Sequence, residues 1–109
     1  MKSTIDINDI KELRSACKPS ESMQILMEAV HILFKDKKAL WQECKIMMSD
    51  HKGLKQQMDE YDTSKVTPSM KEKLKVIVER PDFTIERMRN SSKACVGIFQ
   101  WVMEVYSSS

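Results

Sequence analysis

The sequence is poor in the residues that make tight turns: it has two glycines and three prolines among 109 residues. Short β-hairpin turns depend on glycine, so this scarcity argues against a β-rich fold and favours an all-helical one. Aromatic residues make up only 6% of the chain, whereas there are nine methionines, whose flexible side chains fill helical cores. A chain of this length forms one domain with one core. We therefore expect a single all-α domain.

The number and spacing of the cysteines exclude the common metal motifs. Cys17, Cys44 and Cys95 are odd in number, far apart and free of any C-x-x-C pair. Together with His31 and His51 they do not give the spacing of a zinc site. Reduced thiols, as in cytosolic proteins, are the simplest interpretation. We expect no metal and no cofactor.

Several other motifs are missing. No apolar run is long enough to span a membrane, and the charged start of the chain lacks the apolar core of a signal peptide, so we expect neither a membrane partner nor secretion. Gly53 and Gly97 are isolated and cannot form a phosphate-binding loop. A nucleophile elbow, an H-E-x-x-H motif and an EF-hand loop are absent. We predict that the chain is not an enzyme, and nothing in the spacing favours a thiol–imidazole pair of Cys44 and His31.

Apolar residues at both ends of the chain follow the spacing of a coiled coil. Near the start the seam positions are Ile10, Leu13 and Cys17, and near the end they are Cys95, Ile98, Val102 and Val105. Steps of three and four residues are typical of a narrow coiled-coil seam rather than of the broad stripe of a globular helix. We predict that the two segments pair antiparallel, as short stumps at residues 1–17 and 102–109, with a helical bundle over 18–101. The chain is expected to be an excerpt of a longer polypeptide.

Capping signals divide the bundle into six helices. Ser20 and Glu21 after a proline open the first, which runs through Phe34. The Thr67-Pro68 pair supplies an N-cap and a first helical residue, and Thr84 is a further cap. The other helices are predicted at residues 40–48, around 54–61, and from Ser91 or Ser92 to the end of the chain, which includes the returning stump.

The first helix of the bundle is apolar on all sides except one narrow line. Its polar positions are Gln24, Glu28, His31 and Lys35. Such a helix is mostly buried, with this line facing solvent. His31 is therefore predicted to be a solvated histidine rather than a ligand or a pH switch.

Two groups of basic residues are candidates for binding. Residues 35 to 55 hold six lysines against three acidic residues, a net charge of +3. Arg87, Arg89 and Lys93 lie at a helix junction, which we expect to project them together, with Glu86 among them. Two readings stay open for each group: a solvated surface with local ion pairs, or a footprint for an acidic protein surface with salt-sensitive binding.

The order of several motifs resembles the microtubule-binding domain of a dynein heavy chain. These motifs are L-R-S-x-x-x-P from Leu13 to Pro19, the M-E-A-V helix, Trp41, and the P-D-F-x-x-E-x-x-x-x-S-x-K-A-C…W-V-x-x-V-Y run from Pro81 to Tyr106. The resemblance covers essentially the whole chain. The W-V-M-E-V-Y ending is more similar to axonemal dyneins than to cytoplasmic ones.

This resemblance implies a bundle of about six helices at the tip of an antiparallel coiled-coil stalk. The implied function is reversible, salt-sensitive binding to α/β-tubulin in the microtubule, with affinity changed by the register of the stalk helices and with ATP hydrolysis elsewhere in the motor. The implied location is the cytoplasmic cytoskeleton, in the axoneme of a cilium, and the isolated domain is expected to be monomeric. The microtubule-binding residues that it implies are Gln24, Glu28, His31, Lys35, Lys52, Lys55, Glu86, Arg87, Arg89 and Lys93.

Two positions depart from the pattern of the family. Gln24 stands where members often have a lysine, and Asn90 stands where cytoplasmic members have an arginine. These departures imply weaker binding than that of a cytoplasmic dynein, or a larger share for Lys52, Lys55 and the turn at residues 35–38.

Two other functions are weighed against this one. A nucleic-acid-binding module would use Lys71, Lys73 and Lys75, but a net charge of +2 and the lack of an aromatic stacking platform argue against it. An oligomeric adaptor would assemble through the terminal seams. A mobility-shift assay distinguishes the first alternative, and light scattering distinguishes the second.

Overall fold

The computed structural model describes residues 5–16, 18–37 and 40–108, and within these ranges the chain is helical and has no strands. The helices are α1 (Ile7–Arg14), α2 (Glu21–Lys35), α3 (Trp41–Ser49), α4 (His51–Asp59), α5 (Pro68–Val78), α6 (Ile85–Ser91) and α7 (Lys93–Ser108), with a 3₁₀ turn at Thr63–Lys65. The all-α class is confirmed. One N-terminal segment followed by six helices is also the order that the sequence predicted. Cys17 and Lys38 lie outside the described residues.

The predicted caps are present where the helices begin. Ser20, Thr67 and Thr84 each accept a hydrogen bond from the backbone N–H three residues ahead, at 3.1–3.3 Å. Ser92 accepts one from the N–H of Ala94 at 3.2 Å. These bonds satisfy N–H groups that have no partner inside the helix, which is why hydroxyl residues mark helix starts.

Helix α2 is the centre of the bundle. It contacts α3, α5, α6 and α7. Seven of its fifteen residues are buried: Ile25, Leu26, Met27, Ala29, Val30, Ile32 and Leu33. The predicted pattern of an almost wholly buried helix with one polar line is therefore confirmed.

An aromatic cluster joins α2 to α4 and α7. The ring of Phe34 lies 5.3 Å from that of Tyr61 and 5.9 Å from that of Trp101. The Tyr61 hydroxyl donates to the carbonyl oxygen of Leu33 at 2.6 Å. The indole N–H of Trp101 donates to the carbonyl oxygen of Met58 at 3.0 Å. Both polar groups are thus satisfied inside the core, so the rings can be buried at little cost.

Helix α1 runs antiparallel to the first half of α7. Near its start, Ile5 packs beside Gly97, and near its end Glu12 accepts a hydrogen bond from the Ser92 hydroxyl at 3.2 Å. The two contacts run in opposite directions along the helices, so α1 and the first half of α7 are antiparallel. Both contacts fall on residues 92–97, ahead of the predicted returning stump at 102–109. Helix α1 also packs on α3 and α4, and Ile10 in its seam is fully buried.

The buried face of α7 is wider than a coiled-coil seam. Besides the four predicted positions, Ala94 and Trp101 are buried. The prediction of a narrow seam is wrong here because α7 is covered by α1, α2, α5 and α6 at once, whereas a coiled-coil helix has one partner.

Two of the thiols lie in this core. Cys44 and Cys95 are free cysteines and are buried. Burial, with the nearby charges of Glu28 and Glu43, raises the pKa of Cys44 to about 12, and burial with Glu12 raises the pKa of Cys95 to about 11. Both remain protonated at neutral pH and are poor nucleophiles.

Replacing Gly97 by alanine is expected to stabilise the fold by about 0.5–1 kcal/mol, because glycine inside a helix is less favourable than alanine by that amount. A methyl group there meets Ile5 Cγ1 at an ordinary contact distance of 3.9 Å. Urea unfolding measures the change.

Gly53→Ala is the matched control. Its methyl group would overlap the carboxylate of Asp50, which caps α4 by accepting the Gly53 N–H at 3.1 Å. Loss of that cap lowers the free energy of unfolding by about 1 kcal/mol, which offsets the gain from the higher helix propensity of alanine. Equal stabilisation by the two substitutions would contradict this account.

Candidate functional site

The polar line of α2 faces solvent as its spacing predicted. Gln24 and Lys35 are exposed, and Glu28 and His31 between them are half-buried. The Gln24 amide donates to the carbonyl oxygen of Pro19 at 3.2 Å, which holds it against the start of its own helix.

The turn after α2 is basic and ordered by hydrogen bonds. Lys35 and Lys37 are both exposed. The Nδ1 atom of His31 lies 2.8 Å from the carbonyl oxygen of Lys37, so this nitrogen carries the proton and donates it. His31 is therefore not simply solvated, as the sequence had suggested, but fixes the backbone of the turn.

A groove of about 580 Å³ lies between the end of α2 and the helices α3 and α4. Its lining is mixed: His31, Phe34, Lys35, Glu43, Ile46, Met47, Asp50, Leu54 and Gln57. Ile46, an apolar side chain in this lining, is 73% exposed. Sequence reasoning missed Ile46, although the buried positions Cys44 and Met48 already placed it on the outer side of α3.

The two candidate lysines of α4 differ in availability. Lys52 is exposed and forms no ion pair with any described residue. The ammonium of Lys55 lies 2.6 Å from a carboxylate oxygen of Asp59 one turn along the helix, and both side chains are partly buried. Lys52 thus has no counter-ion in the part of the chain that the structure describes, and the charge of Lys55 is largely balanced.

On α6, the candidate residues lie on more than one side. Met88 is fully buried, which turns Glu86, Arg87 and Arg89 to solvent. Residues two apart on an α-helix are separated by about 160° around its axis, so Arg87 and Arg89 lie on opposite flanks of Met88. The expectation that all three basic residues of this junction project together is therefore wrong for this pair.

Arg87 faces the start of α2 and an existing ion pair. It lines a groove with Ser20, Glu21 and Asp82. Arg80 donates two hydrogen bonds to the Asp82 carboxylate, at 2.9 and 3.0 Å, and one to Glu21 at 3.1 Å. The hydrogen bond from Arg80 lowers the pKa of Asp82 below its usual range, and Arg87 adds a smaller effect.

Lys93 lies where four helices meet. It is exposed at the first position of α7 and has no ion pair among the described residues. Beside it, the hydroxyl of Ser20 donates to that of Ser91 at 2.9 Å, and Ser92 bonds to Glu12. The end of α1, the start of α2, the end of α6 and the start of α7 are thus in direct contact.

The lysines of the nucleic-acid alternative are partly engaged. Lys73 bonds to Asp36, and the Lys71 ammonium lies 5.7 Å from the centre of the Tyr106 ring. Lys75 is exposed. These three side chains do not offer a common row of free cations.

Within the described ranges, no helix has the length and apolar character needed to cross a membrane. The same residues bring together no cluster of three histidine, cysteine, aspartate or glutamate side chains that could hold a metal ion.

Comparison with known proteins agrees with the motifs read from the sequence. The family described as the microtubule-binding stalk of the dynein motor matches residues 1–107. Dynein axonemal heavy chain 6 of Homo sapiens is 36% identical over 101 residues, which are 91% of this chain. The dynein-1-beta heavy chain of the flagellar inner arm I1 complex of Chlamydomonas reinhardtii is 32% identical over 90% of the chain, and the cytoplasmic dynein heavy chain of Dictyostelium discoideum is 31% identical over 91%.

The chain spans about 2% of the length of these relatives. The matched family is a non-catalytic part of the motor, which confirms the prediction that the chain is not itself an enzyme. With a family match over nearly every residue and several dynein heavy chains above 30% identity, the chain belongs to the family of microtubule-binding stalks of dynein motors.

Proposed function

We propose that this chain is the stalk tip of a dynein heavy chain and binds the microtubule reversibly through one mixed-charge face. The family match over residues 1–107 is the observation that carries the proposal. The exposed cations described above give it a physical basis, because the microtubule surface is acidic. The face comprises Gln24, Glu28, His31, Lys35, Lys52, Lys55, Glu86, Arg89 and Lys93. Arg87 is left out of it, because it lies on the other flank of α6 and lines a groove with Glu21 and Asp82.

The members of this face contribute unequally in our proposal. Four of them are exposed and have no ion pair with any described residue: Lys35, Lys52, Arg89 and Lys93. They can therefore bind a carboxylate without breaking an existing ion pair. Lys55 already pairs with Asp59 and gains less from a new anion. The first four residues therefore supply most of the electrostatic attraction.

Exposed charges of this kind make the contact sensitive to salt. At physiological ionic strength the Debye length is about 8 Å, so attraction between solvated charges weakens markedly as salt is added. Complementary surface charge raises the association rate constant more than it lowers the dissociation rate constant. Fast and reversible binding is what a motor needs at a site that must release its track in every cycle.

We further propose that the register of the stalk helices sets the affinity. Residues 1–17 and 102–109 are assigned to the outgoing and returning stalk segments and residues 18–101 to the bundle. The hydrogen bonds from Ser92 to Glu12 and from Ser20 to Ser91 support a coupling, because they join the α1–α7 pair to the start of α2. A shift of α1 along α7 would move α2, and a two-state register would give two affinities.

The remaining assignments follow from the same proposal. The partner is α/β-tubulin, the location is the cytoskeleton of a ciliary axoneme, and the isolated domain is a monomer. ATP is hydrolysed in another part of the heavy chain. Neither nucleic acid nor a membrane is a partner.

Charge reversal at Arg89 or Lys93 is expected to weaken binding about fivefold to thirtyfold, equivalent to about 1–2 kcal/mol, because each substitution replaces an attraction by a repulsion. Co-sedimentation with polymerised microtubules over a salt series measures it. Binding of the unmodified chain should weaken steeply as salt rises.

Lys75→Glu on α5 is the matched control, since Lys75 is exposed but lies outside the proposed face. It should bind nearly as well as the unmodified chain. The proposed face is incorrect if both substitutions at the α6–α7 junction leave pelleting unchanged, or if Lys75→Glu weakens it as much.

The register proposal is tested by a disulfide between cysteines placed at Ile5 and Gly97. A β-carbon at Gly97 would lie 3.9 Å from Ile5 Cγ1, so positions 5 and 97 face each other across the contact between α1 and α7. The oxidised variant should differ from its reduced form in microtubule affinity by about fivefold or more. Reductant should not change binding of the unmodified chain. Equal affinity of the oxidised and reduced forms would exclude control by this register.

A further inference from the structure

The residue that ends α2 has an unusual backbone conformation. Asp36 has φ 54° and ψ 35°, and among the described residues it alone combines a positive φ with a side chain. Residues other than glycine adopt this left-handed region rarely, although aspartate tolerates it better than most. Such a conformation persists only where surrounding contacts hold it, and it often marks a functional position.

Lys73 of α5 makes the contacts that hold Asp36 in this conformation. Its ammonium donates to the backbone carbonyl oxygen of Asp36 at 2.8 Å and to the carboxylate oxygen Oδ1 at 2.9 Å. The Ser69 hydroxyl donates to the same Oδ1 atom at 3.4 Å, and the Asp36 N–H donates to the carbonyl oxygen of Ile32 at 2.8 Å. The backbone and the side chain of Asp36 are therefore both fixed, by a helix 37 residues further along the chain.

The fixed residue lies between two lysines that point to solvent. Lys35 and Lys37, which flank Asp36, are both exposed, and we call residues 35–37 the basic turn. His31 holds the far side of this turn through its bond to the carbonyl oxygen of Lys37. The backbone of the basic turn is thus held from both sides, while its two ammonium groups have no ion pair with any residue that the structure describes.

We propose that Asp36 and Lys73 are positioning residues for microtubule binding. They fix the basic turn so that Lys35 and Lys37 meet the filament without a loss of backbone freedom on binding, which is the gain from preorganisation. Lys73 acts through Asp36 and does not touch the filament, because its ammonium already has two acceptors on that residue. This inference rests on the proposed function and adds two residues that lie outside the predicted site.

The test compares Lys73→Met, Asp36→Ala and the double variant by microtubule co-sedimentation, with Lys75→Met as the matched control on the same helix. We expect each single variant to bind about fivefold more weakly. The double variant should bind no more weakly than Lys73→Met, because that substitution already removes both bonds to residue 36. Lys75→Met should bind like the unmodified chain. Urea unfolding gives the folded fraction of each variant under the binding conditions.

Asp36→Gly separates conformation from charge. Glycine adopts the left-handed conformation without steric cost and keeps the carbonyl oxygen that Lys73 binds, so this variant should retain most of the affinity. Hydrogen exchange in the free domain should be faster at residues 35–37 in Lys73→Met and unchanged there in Lys75→Met. That exchange is measured without microtubules and does not depend on the proposed function.

Several results would overturn the inference. Additive losses in the double variant, with a weaker salt dependence in Lys73→Met, would mean that Lys73 contacts the filament directly. If the loss of microtubule binding in each variant equals its unfolded fraction, Asp36 and Lys73 have a purely structural role. Full binding by folded Lys73→Met and Asp36→Ala would also reject it while the proposed function stands. If the unmodified chain fails to pellet at low salt, the proposed function fails, and the inference fails with it.

Discussion

Burial of α2 on all but one side is the constraint on which the candidate site depends. Seven of its residues are packed against α3, α5, α6 and α7, so only one line of side chains can meet a partner. Hydrophobic burial of this extent fixes the rotation of the helix about its axis. The position of Gln24 and Lys35 on the surface is therefore set by the core, and a movement of α2 would shift the whole line together.

The ends of α2 are joined to different parts of the bundle. Its start contacts α6 through Ser20 and Ser91, next to the junction of α1 and α7. Its end is held by the Lys73–Asp36 bonds to α5. In our proposal the first contact transmits a movement of the stalk helices to α2, and the second keeps the basic turn oriented. A single helix can thus connect a change in the stalk to a surface that meets the filament.

Much of this fold could be predicted because it follows from local rules. Hydroxyl caps at Ser20, Thr67 and Thr84 mark helix starts by satisfying free N–H groups, and that pattern is visible in the sequence. The polar line of α2 followed from helical periodicity alone. The dynein family was identified from the order of several motifs, which a match over residues 1–107 confirmed.

The features that sequence could not supply depend on contacts between distant residues. The broad buried face of α7 arises because four helices cover it, whereas its spacing alone indicated a seam with one partner. Nothing local shows that Lys73 reaches Asp36 or that His31 bonds to Lys37. The separation of Arg87 from Arg89 is different, because helical geometry already implied it once α6 was recognised.

Hydroxyl-radical footprinting of the domain with and without microtubules tests the central claim most directly. His31 and Ile46 line the groove beside the basic turn, whereas Val76 on α5 is 64% exposed and lies outside the proposed face. The account predicts that microtubules protect His31 and Ile46 from oxidation and leave Val76 as reactive as before. Protection of Val76 with full reactivity at His31 and Ile46 would contradict it.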